Sequence, residues 1–162
     1  MTNSKSLVID TTFILPIFGI RIDIFKDLES KLKLLWNNKV KGYDIYLPSI
    51  CLVEAIYKLL SEYKKNNDYE ILDRYQKILP TVLNLPIKIF NCELNPKASM
   101  IASIIRHSGH PDFMDGWIAG TAVSLNGILL SEDVELKNKL MEIPETKNLI
   151  LLSWNEFSKK IP

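Results

Sequence analysis

Short apolar runs alternate along this chain with longer stretches in which apolar residues recur every three or four positions. Apolar runs without polar alternation are typical of strands that are buried on both faces of a parallel sheet. Stretches with the longer period are typical of helices that bury one side. The predicted strands are residues 6–10, 44–47, 87–90, 127–130 and 148–152.

Residues with helical periodicity lie between these strands. One predicted helix carries a single apolar stripe, whose default place is the core, although such a stripe could also serve a partner. The stripe consists of Ile20, Ile24, Leu28, Leu32 and Leu35. The other predicted helices are residues 49–65 with Ser49 as N-cap, 69–79 stopped by Pro80, 95–106 opened by Asn95 and Pro96, 111–125 ended by Asn126 and Gly127, and a short last helix opened by the capping-box pattern at 153–156.

Strands that alternate with helices predict an α/β fold, a three-layer α/β/α sandwich in which right-handed crossovers place helices on both faces of a parallel sheet. The 162 residues and the apolar share of 47% suit one domain, residues 1–162, and no repeat or linker divides it. The formal net charge of +1 argues against a strongly basic nucleic-acid binder and leaves room for a local basic patch.

Two cysteines, Cys51 and Cys92, stand far apart in apolar surroundings and form no zinc or disulfide pattern. Buried structural thiols are the favoured interpretation, which fits a reducing compartment. The first residues do not resemble a secretory leader, and no apolar stretch reaches the ~18 residues of a transmembrane helix. We therefore expect a cytoplasmic protein without a membrane partner.

Acidic residues stand at or just beyond the ends of several predicted strands. Asp10 ends the first strand, Asp133 follows the fourth, and Glu54 lies early in the helix after the second. Asp112 and Asp115 open the helix that precedes the fourth strand. In an open α/β sheet the ligand site lies beyond the carboxyl ends of the strands, so these carboxylates are expected to meet in one cleft. Carboxylates in close proximity repel one another, and a hard divalent cation is the usual remedy.

Each carboxylate also has a purely structural interpretation. An aspartate after a strand is often a turn or cap residue, so Asp10 alone favours neither role. Glu54 could be a rim residue that is paired with Lys58. It shares part of the apolar side of its helix, however, and glutamate is rarely buried unless it is paired. Asp112 and Asp115 suit the first turn of a helix electrostatically. That explanation covers Asp115 less well, because the helix that follows it is apolar nearly all round and therefore buried.

The remaining polar and aromatic candidates are weaker. Asp133 could serve only as a surface cap, and Ser131 beside it could orient a carboxylate or a water. His107 and His110 flank a short loop for which a solvated position is favoured over a phosphate contact. Trp117 could stack a base, but burial against the sheet is favoured. Lysines and an arginine could attract RNA, although such residues are usually a solvated helix face: Lys58, Lys64, Lys65 and Arg106.

In combination these segments resemble the PIN-domain nucleases. The resemblance covers nearly the whole chain, with the motifs in the family's order. They are residues 10–15 (DTTFIL), the turn Pro48-Ser49 before the helix with Glu54, residues 115–122 (DGWIAGTA) and residues 127–133 (GILLSED). Two features depart from the family's pattern: Gly116-Trp117 replaces a small apolar pair, and residues 66–86 are not diagnostic.

The resemblance implies a PIN-like fold whose parallel five-stranded sheet has the order 3-2-1-4-5. It implies an acidic quartet of Asp10, Glu54, Asp115 and Asp133, with Asp112 as an auxiliary acid. Family members are mostly Mg²⁺- or Mn²⁺-dependent ribonucleases, and many small ones are toxins of toxin–antitoxin pairs, as in VapBC systems. We therefore expect a metal-dependent endoribonuclease that hydrolyses RNA and binds a cognate antitoxin.

On this expectation Asp10, Asp115 and Asp133 are the metal ligands, directly or through water, and the metal is Mg²⁺ or Mn²⁺. Glu54 completes the site or orients the attacking water. Thr12 and Ser131 are candidate hydrogen-bond donors that support the ligands. A homodimer is expected from the apolar stripe.

Other functions fit the residues less well. A phosphatase of the haloacid dehalogenase type requires Asp-x-Asp, and here Thr11 and Thr12 follow Asp10. A receiver domain requires an early acidic pair and a late lysine, and neither is evident. A nucleotide-binding Gly-rich loop is absent from the sequence. The serious rival is a non-catalytic PIN-like module that binds RNA or a protein without cutting.

Overall fold

The computed structural model of the chain describes residues 4–22, 28–36 and 40–160. In this part of the chain five strands form one parallel sheet in the order β3-β2-β1-β4-β5, which confirms the predicted order and fold class. The strands are β1 (Lys5–Ile9), β2 (Tyr43–Pro48), β3 (Lys88–Phe90), β4 (Ile128–Leu130) and β5 (Ile150–Leu152).

Helices connect the strands along the chain. They are α1 (Leu28–Trp36), α2 (Ile50–Asn66), α3 (Glu70–Leu83), α4 (Pro96–His107), α5 (Phe113–Ser124), α6 (Val134–Glu142) and α7 (Trp154–Ser158). Short 3₁₀ helices occupy Thr11–Phe13, Leu15–Phe18 and Cys92–Leu94.

The central strand β1 is buried on both faces of the sheet. Leu7, Val8 and Ile9 are each fully buried. Successive side chains of a strand point to opposite faces, so both faces of β1 are covered, as a sandwiched parallel sheet requires. Ile9 is in register with Leu130 of β4, so the residues after these two strands emerge side by side at the carboxyl edge.

Helices α4 and α5 approach each other closely because two glycines of α5 face the backbone of α4. A Cβ on Gly116 would lie 3.1 Å from the carbonyl oxygen of Ala102. A Cβ on Gly120 would collide with the carbonyl oxygen of Ala98. The hydrogen side chains of these glycines therefore fix the distance between the two helices. Asp115 is the neighbour of Gly116, so the same contact brings Asp115 near the end of α4.

Most of the predicted helix ends are confirmed. The Asn95 side chain accepts a hydrogen bond from the backbone N–H of Ala98 at 2.9 Å, as an N-cap residue does. The capping box between Ser153 and Glu156 is present in both directions. Asn126 adopts a left-handed conformation with φ of 48° just after α5, where the predicted stop lies.

Two predictions about the helices are wrong, and one helix was missed. Pro80 does not end α3 but lies inside it, because a proline removes only one backbone donor and buried Val82 holds the last turn against the core. Ser49 makes no capping bond to α2, because its hydroxyl bonds Glu93 and the backbone N–H of Cys92 instead. Helix α6 was not predicted, because in its short, charged sequence only Leu136 and Leu140 are buried apolar positions.

The predicted apolar stripe is described only in part. Leu32 and Leu35 are buried in the core, which confirms the default role for these two residues. Ile20 is half-buried and precedes the helix, so the prediction that it belongs to the helix is wrong. Ile24 and the side chain of Leu28 lie outside the described residues. The expected burial of Cys51 and Cys92 as free thiols is confirmed. Among the described residues, no helix has the length and apolar character to cross a membrane.

Candidate active site

Asp10 lies immediately after β1 and is almost fully buried. Its backbone N–H donates to the carbonyl of Leu130 at 3.2 Å, so β4 fixes its position. Its side chain accepts a hydrogen bond from the backbone N–H of Thr12 at 2.7 Å. Burial raises the pKa of Asp10 from 3.8 to about 7, although hydrogen bonds from Ser131 and Thr12 act in the opposite direction. The negative charge of Glu54 adds a smaller increase to the pKa.

Glu54 reaches the same place from the first turns of α2. The hydroxyl of Thr11 donates a short hydrogen bond to its carboxylate. The ammonium of Lys58, one helical turn later, lies 3.8 Å from the other carboxylate oxygen. The predicted pairing with Lys58 is therefore confirmed, and it occurs together with a contact to the residue that follows Asp10. Thr11 was missed by the sequence argument, although its position beside Asp10 was the available signal.

Asp133 begins α6 and reaches Asp10 through Ser131. Its side chain caps α6 by accepting from the backbone N–H of Leu136 at 2.8 Å. Its own backbone N–H donates to the hydroxyl oxygen of Ser131 at 3.2 Å. The Ser131 side chain also hydrogen-bonds the carboxyl of Asp10. A single buried serine thus links the residues that follow β1 and β4, as the sequence predicted for Ser131.

Asp115 lies in the first turn of α5 and is partly buried. The pKa of Asp115 is raised from 3.8 to about 6, chiefly by burial and in smaller part by the negative charges of Asp112 and Asp133. A hydrogen bond with His110 acts in the opposite direction. The Nε2 atom of His110 lies 2.9 Å from one carboxylate oxygen of Asp115. Asp112 is itself the N-cap of α5 and accepts from the backbone N–H of Met114 at 2.8 Å.

The structure therefore places all four members of the predicted quartet at the carboxyl edge of the sheet. They occur as neighbouring pairs: Glu54 acts electrostatically on Asp10, and Asp133 acts on Asp115. Ser131 joins the pairs by contacting both Asp10 and Asp133. Within residues 4–22, 28–36 and 40–160, no three His, Cys, Asp or Glu side chains are close enough together to hold a metal ion.

The predicted position of one histidine is wrong. His110 was expected in a solvated loop, but it is 3% exposed and contacts Asp115. His107, which ends α4, is exposed as expected. No sequence motif identifies His110, because its contact with Asp115 depends on how closely α4 and α5 pack. Trp117 is half-buried and packs edge-on against exposed Phe113, with ring centroids 5.8 Å apart.

A cavity of about 530 Å³ lies against α2, and Glu54 is the member of the acidic quartet that lines it. Thr12 and Glu54 form its end nearest Asp10, and Ile20 adds an apolar wall. Three basic residues line it, Arg21, Lys58 and Lys65, together with the acids Glu54 and Glu62. Lys58 is paired with Glu54 and Lys65 with Glu62.

Comparison with known proteins gives a fold and no sequence family. No protein-family model matches the chain, and no curated protein matches it in sequence. Among solved structures, VapBC2 from Rickettsia felis bound to a promoter DNA fragment matches with a TM-score of 0.60 and 22% identity, covering 92% of this chain and 98% of that one. FitAcB from Neisseria gonorrhoeae matches with a TM-score of 0.54 and 22% identity, over 91% and 97% of the two chains.

A toxin–antitoxin complex from Klebsiella pneumoniae matches with a TM-score of 0.52 and 15% identity, covering 91% of this chain and 97% of that chain. Nearly full coverage of both chains means that the likeness extends over the whole fold and not over one motif. Identities of this size support a statement about the fold alone. With the strand order 3-2-1-4-5 and helices between the parallel strands, the chain has the PIN-domain fold.

Proposed function

We propose that this protein is a divalent-metal-dependent endoribonuclease. The observation that carries the proposal is the meeting of carboxylates from distant parts of the chain at the carboxyl edge of the sheet, two of them with raised pKa values. Folding buries the carboxyl group of Asp10, and burial opposes its ionisation. No basic residue in the described part of the chain lowers its pKa. Such an arrangement costs stability, and functional sites are where costs of this kind concentrate.

The donor set fits Mg²⁺ or Mn²⁺. Carboxylate oxygens are hard ligands, and Mg²⁺ is usually held by one or two carboxylates, with waters and substrate phosphate completing its shell. Two neighbouring pairs of acids, Asp10 with Glu54 and Asp115 with Asp133, would supply such carboxylates. Burial raises the pKa values of Asp10 and Asp115, with smaller contributions from neighbouring carboxylates, and a cation there would stabilise the ionised forms of both groups.

The residues divide into ligands and supports. Asp10, Asp115 and Asp133 would hold the ion. Glu54, fixed by Thr11 and Lys58, would accept the proton of the attacking water or orient that water. The hydroxyl of Ser131 and the amide of Thr12 would hold Asp10 in place. When bound, the ion supplies charge neutralisation at the phosphodiester and a lowered pKa for a bound water.

RNA is proposed as the substrate because Glu54 lines a cavity that also contains Arg21, Lys58 and Lys65. Basic side chains attract the phosphate backbone, and they do so without reading sequence. The RNA strand would therefore run along α2 with its scissile phosphate at Asp10.

We further propose that the protein is the toxin of a toxin–antitoxin pair. The supporting observation is the fold-wide likeness to a structure described as a toxin–antitoxin complex. Co-expression with proteins encoded beside it, followed by purification through a tag on this chain, would test for an antitoxin. The expected homodimer and the cytoplasmic location stay predictions.

An RNA cleavage assay tests the enzymatic proposal. Purified protein incubated with end-labelled single-stranded RNA should cut internally with Mg²⁺ or Mn²⁺ and not with excess EDTA. Asp10→Asn should lower the rate by at least a hundredfold. Asp44→Asn is the matched control, because Asp44 is a partly exposed acid at the amino end of β2, paired with Lys88. Cleavage that survives EDTA or Asp10→Asn would contradict the proposal, and RNA binding without cleavage would favour the non-catalytic module.

A further inference from the structure

His110 is a buried histidine in which one ring nitrogen is hydrogen-bonded and the other has no partner among the described residues. Its Nε2 atom lies 2.9 Å from a carboxylate oxygen of Asp115. Its Nδ1 atom is buried and has no hydrogen-bond partner in the part of the chain that the structure describes. Buried polar atoms are almost always paired, so this unpaired nitrogen calls for an explanation.

The unpaired nitrogen indicates which form the imidazole takes. A charged ring, or a neutral ring with its hydrogen on Nδ1, would bury an N–H group without an acceptor. A neutral ring with hydrogen on Nδ1 would also turn the lone pair of Nε2 toward a carboxylate oxygen. The geometry therefore favours a ring with its hydrogen on Nε2. In that form His110 donates to Asp115 and keeps Nδ1 bare.

The loop between α4 and α5 holds the ring in this position. The guanidinium of Arg106 donates to the carbonyl oxygens of His110 and Pro111, at 3.1 and 2.6 Å. The backbone N–H of His110 donates to the carbonyl of Ile105 at 3.3 Å. Gly109 turns the chain with a φ of 100°, a conformation that glycine adopts without strain. The loop is thus built to place one ring against one carboxylate.

We propose that His110 is a positioning residue for Asp115, an inference that rests on the proposed function. Its Nε2–H group binds one oxygen of the Asp115 carboxylate, fixes the rotation of that group and directs the other oxygen to the divalent ion. Hydrogen bonds to metal-binding carboxylates act in this way, and their loss typically weakens metal binding about 10- to 100-fold. His110 touches neither RNA nor ion.

Imidazole ¹⁵N NMR on the metal-free protein tests the hydrogen bond directly. The sequence has two histidines, so exposed His107 is an internal reference that should show mixed tautomers. His110 should show a single pattern, with hydrogen on Nε2 and a bare Nδ1, and Asp115→Ala should abolish that pattern. A hydrogen on Nδ1, or a mixture like that of His107, would overturn the inference whether or not the protein is a nuclease.

Two substitutions test the positioning role. His110→Leu removes the donor and should weaken Mn²⁺ binding, measured by calorimetry, at least about tenfold. His110→Gln places an amide nitrogen near the Nε2 position and should restore most of that affinity. In cleavage assays kcat should follow the same order while KM for RNA stays nearly constant. His107→Gln is the matched control and should leave both quantities unchanged.

The outcomes separate the inference from the proposed function. If His110→Leu binds Mn²⁺ as the wild type does, or if His110→Gln is as weak as His110→Leu, the positioning role is wrong and the nuclease proposal stands. If the wild type binds no Mn²⁺ and cuts no RNA, the proposed function fails, and the positioning role fails with it even where the NMR pattern is found. Circular dichroism on each variant shows that the fold is kept.

Discussion

Asp10→Asn should stabilise the folded protein at alkaline pH even though it abolishes the proposed activity. Burial raises the pKa of Asp10 from 3.8 to about 7. Each pKa unit corresponds to about 1.4 kcal/mol, so ionising Asp10 in the folded protein costs about 4 kcal/mol. Asparagine carries no charge, keeps an oxygen that can accept from the backbone N–H of Thr12, and has nearly the same shape.

The sign follows from linkage. The folded-state pKa lies above the unfolded one, so the folded protein retains the Asp10 proton more strongly and loses stability as pH rises from about 4 through about 7. Between pH 5 and pH 8 the loss attributable to Asp10 is about 2 to 3 kcal/mol. The asparagine variant is free of this loss, so its stability relative to the wild type should increase by that amount over the same interval.

Urea denaturation at pH 5, 6.5 and 8 without divalent ions measures the effect. The control Asp44→Asn should show no such trend, because hydrogen bonds from Ser4 and Lys88 lower the pKa of Asp44, which is therefore ionised throughout this range in both states. Equal stability of Asp10→Asn and wild type at pH 8, or an equal difference at pH 5 and pH 8, would refute the reasoning.

Three further perturbations have expected outcomes. Gly120→Ala should lower the unfolding free energy by about 1 to 3 kcal/mol in urea melts, because the new methyl group collides with the backbone of Ala98, and a gain would show that α4 and α5 can separate at little cost. Ser153→Ala removes the cap of α7 and should cost about 1 kcal/mol in the same assay, with no change in RNA cleavage. MnCl₂ should raise the melting temperature of the wild type and have a much smaller effect on Asp115→Asn, and an equal shift in both would place the bound ion elsewhere.

The sequence predicted the edge at which the acids meet because parallel strands share one carboxyl end. Asp10 and Asp133 follow strands, and that alone was enough to place them together. Asp115 was predicted from its position at the mouth of an apolar helix. The position of each of these three acids could be predicted from local sequence, because each one lies at the end of a strand or a helix.

Features that depend on distant contacts were not predictable in this way. His110 contacts Asp115 only because Gly116 lets α5 lie close to α4, and no pattern in the loop signals that approach. Pro80 stays in α3 because tertiary packing outweighs the lost hydrogen bond. The hydroxyl of Ser49 bonds Glu93 and Cys92 in the short 3₁₀ helix after β3 and does not cap α2, so the expectation of a local hydrogen bond was wrong.

The most direct test of the central claim is a crystal structure of the protein soaked in MnCl₂, with anomalous data. The account predicts an anomalous peak at the carboxyl edge of the sheet, with oxygens of Asp10, Asp115 or Asp133 within about 2 to 2.5 Å of it or joined to it through water. Saturating Mn²⁺ with no peak among these carboxylates, or with a peak only at another surface, would contradict it.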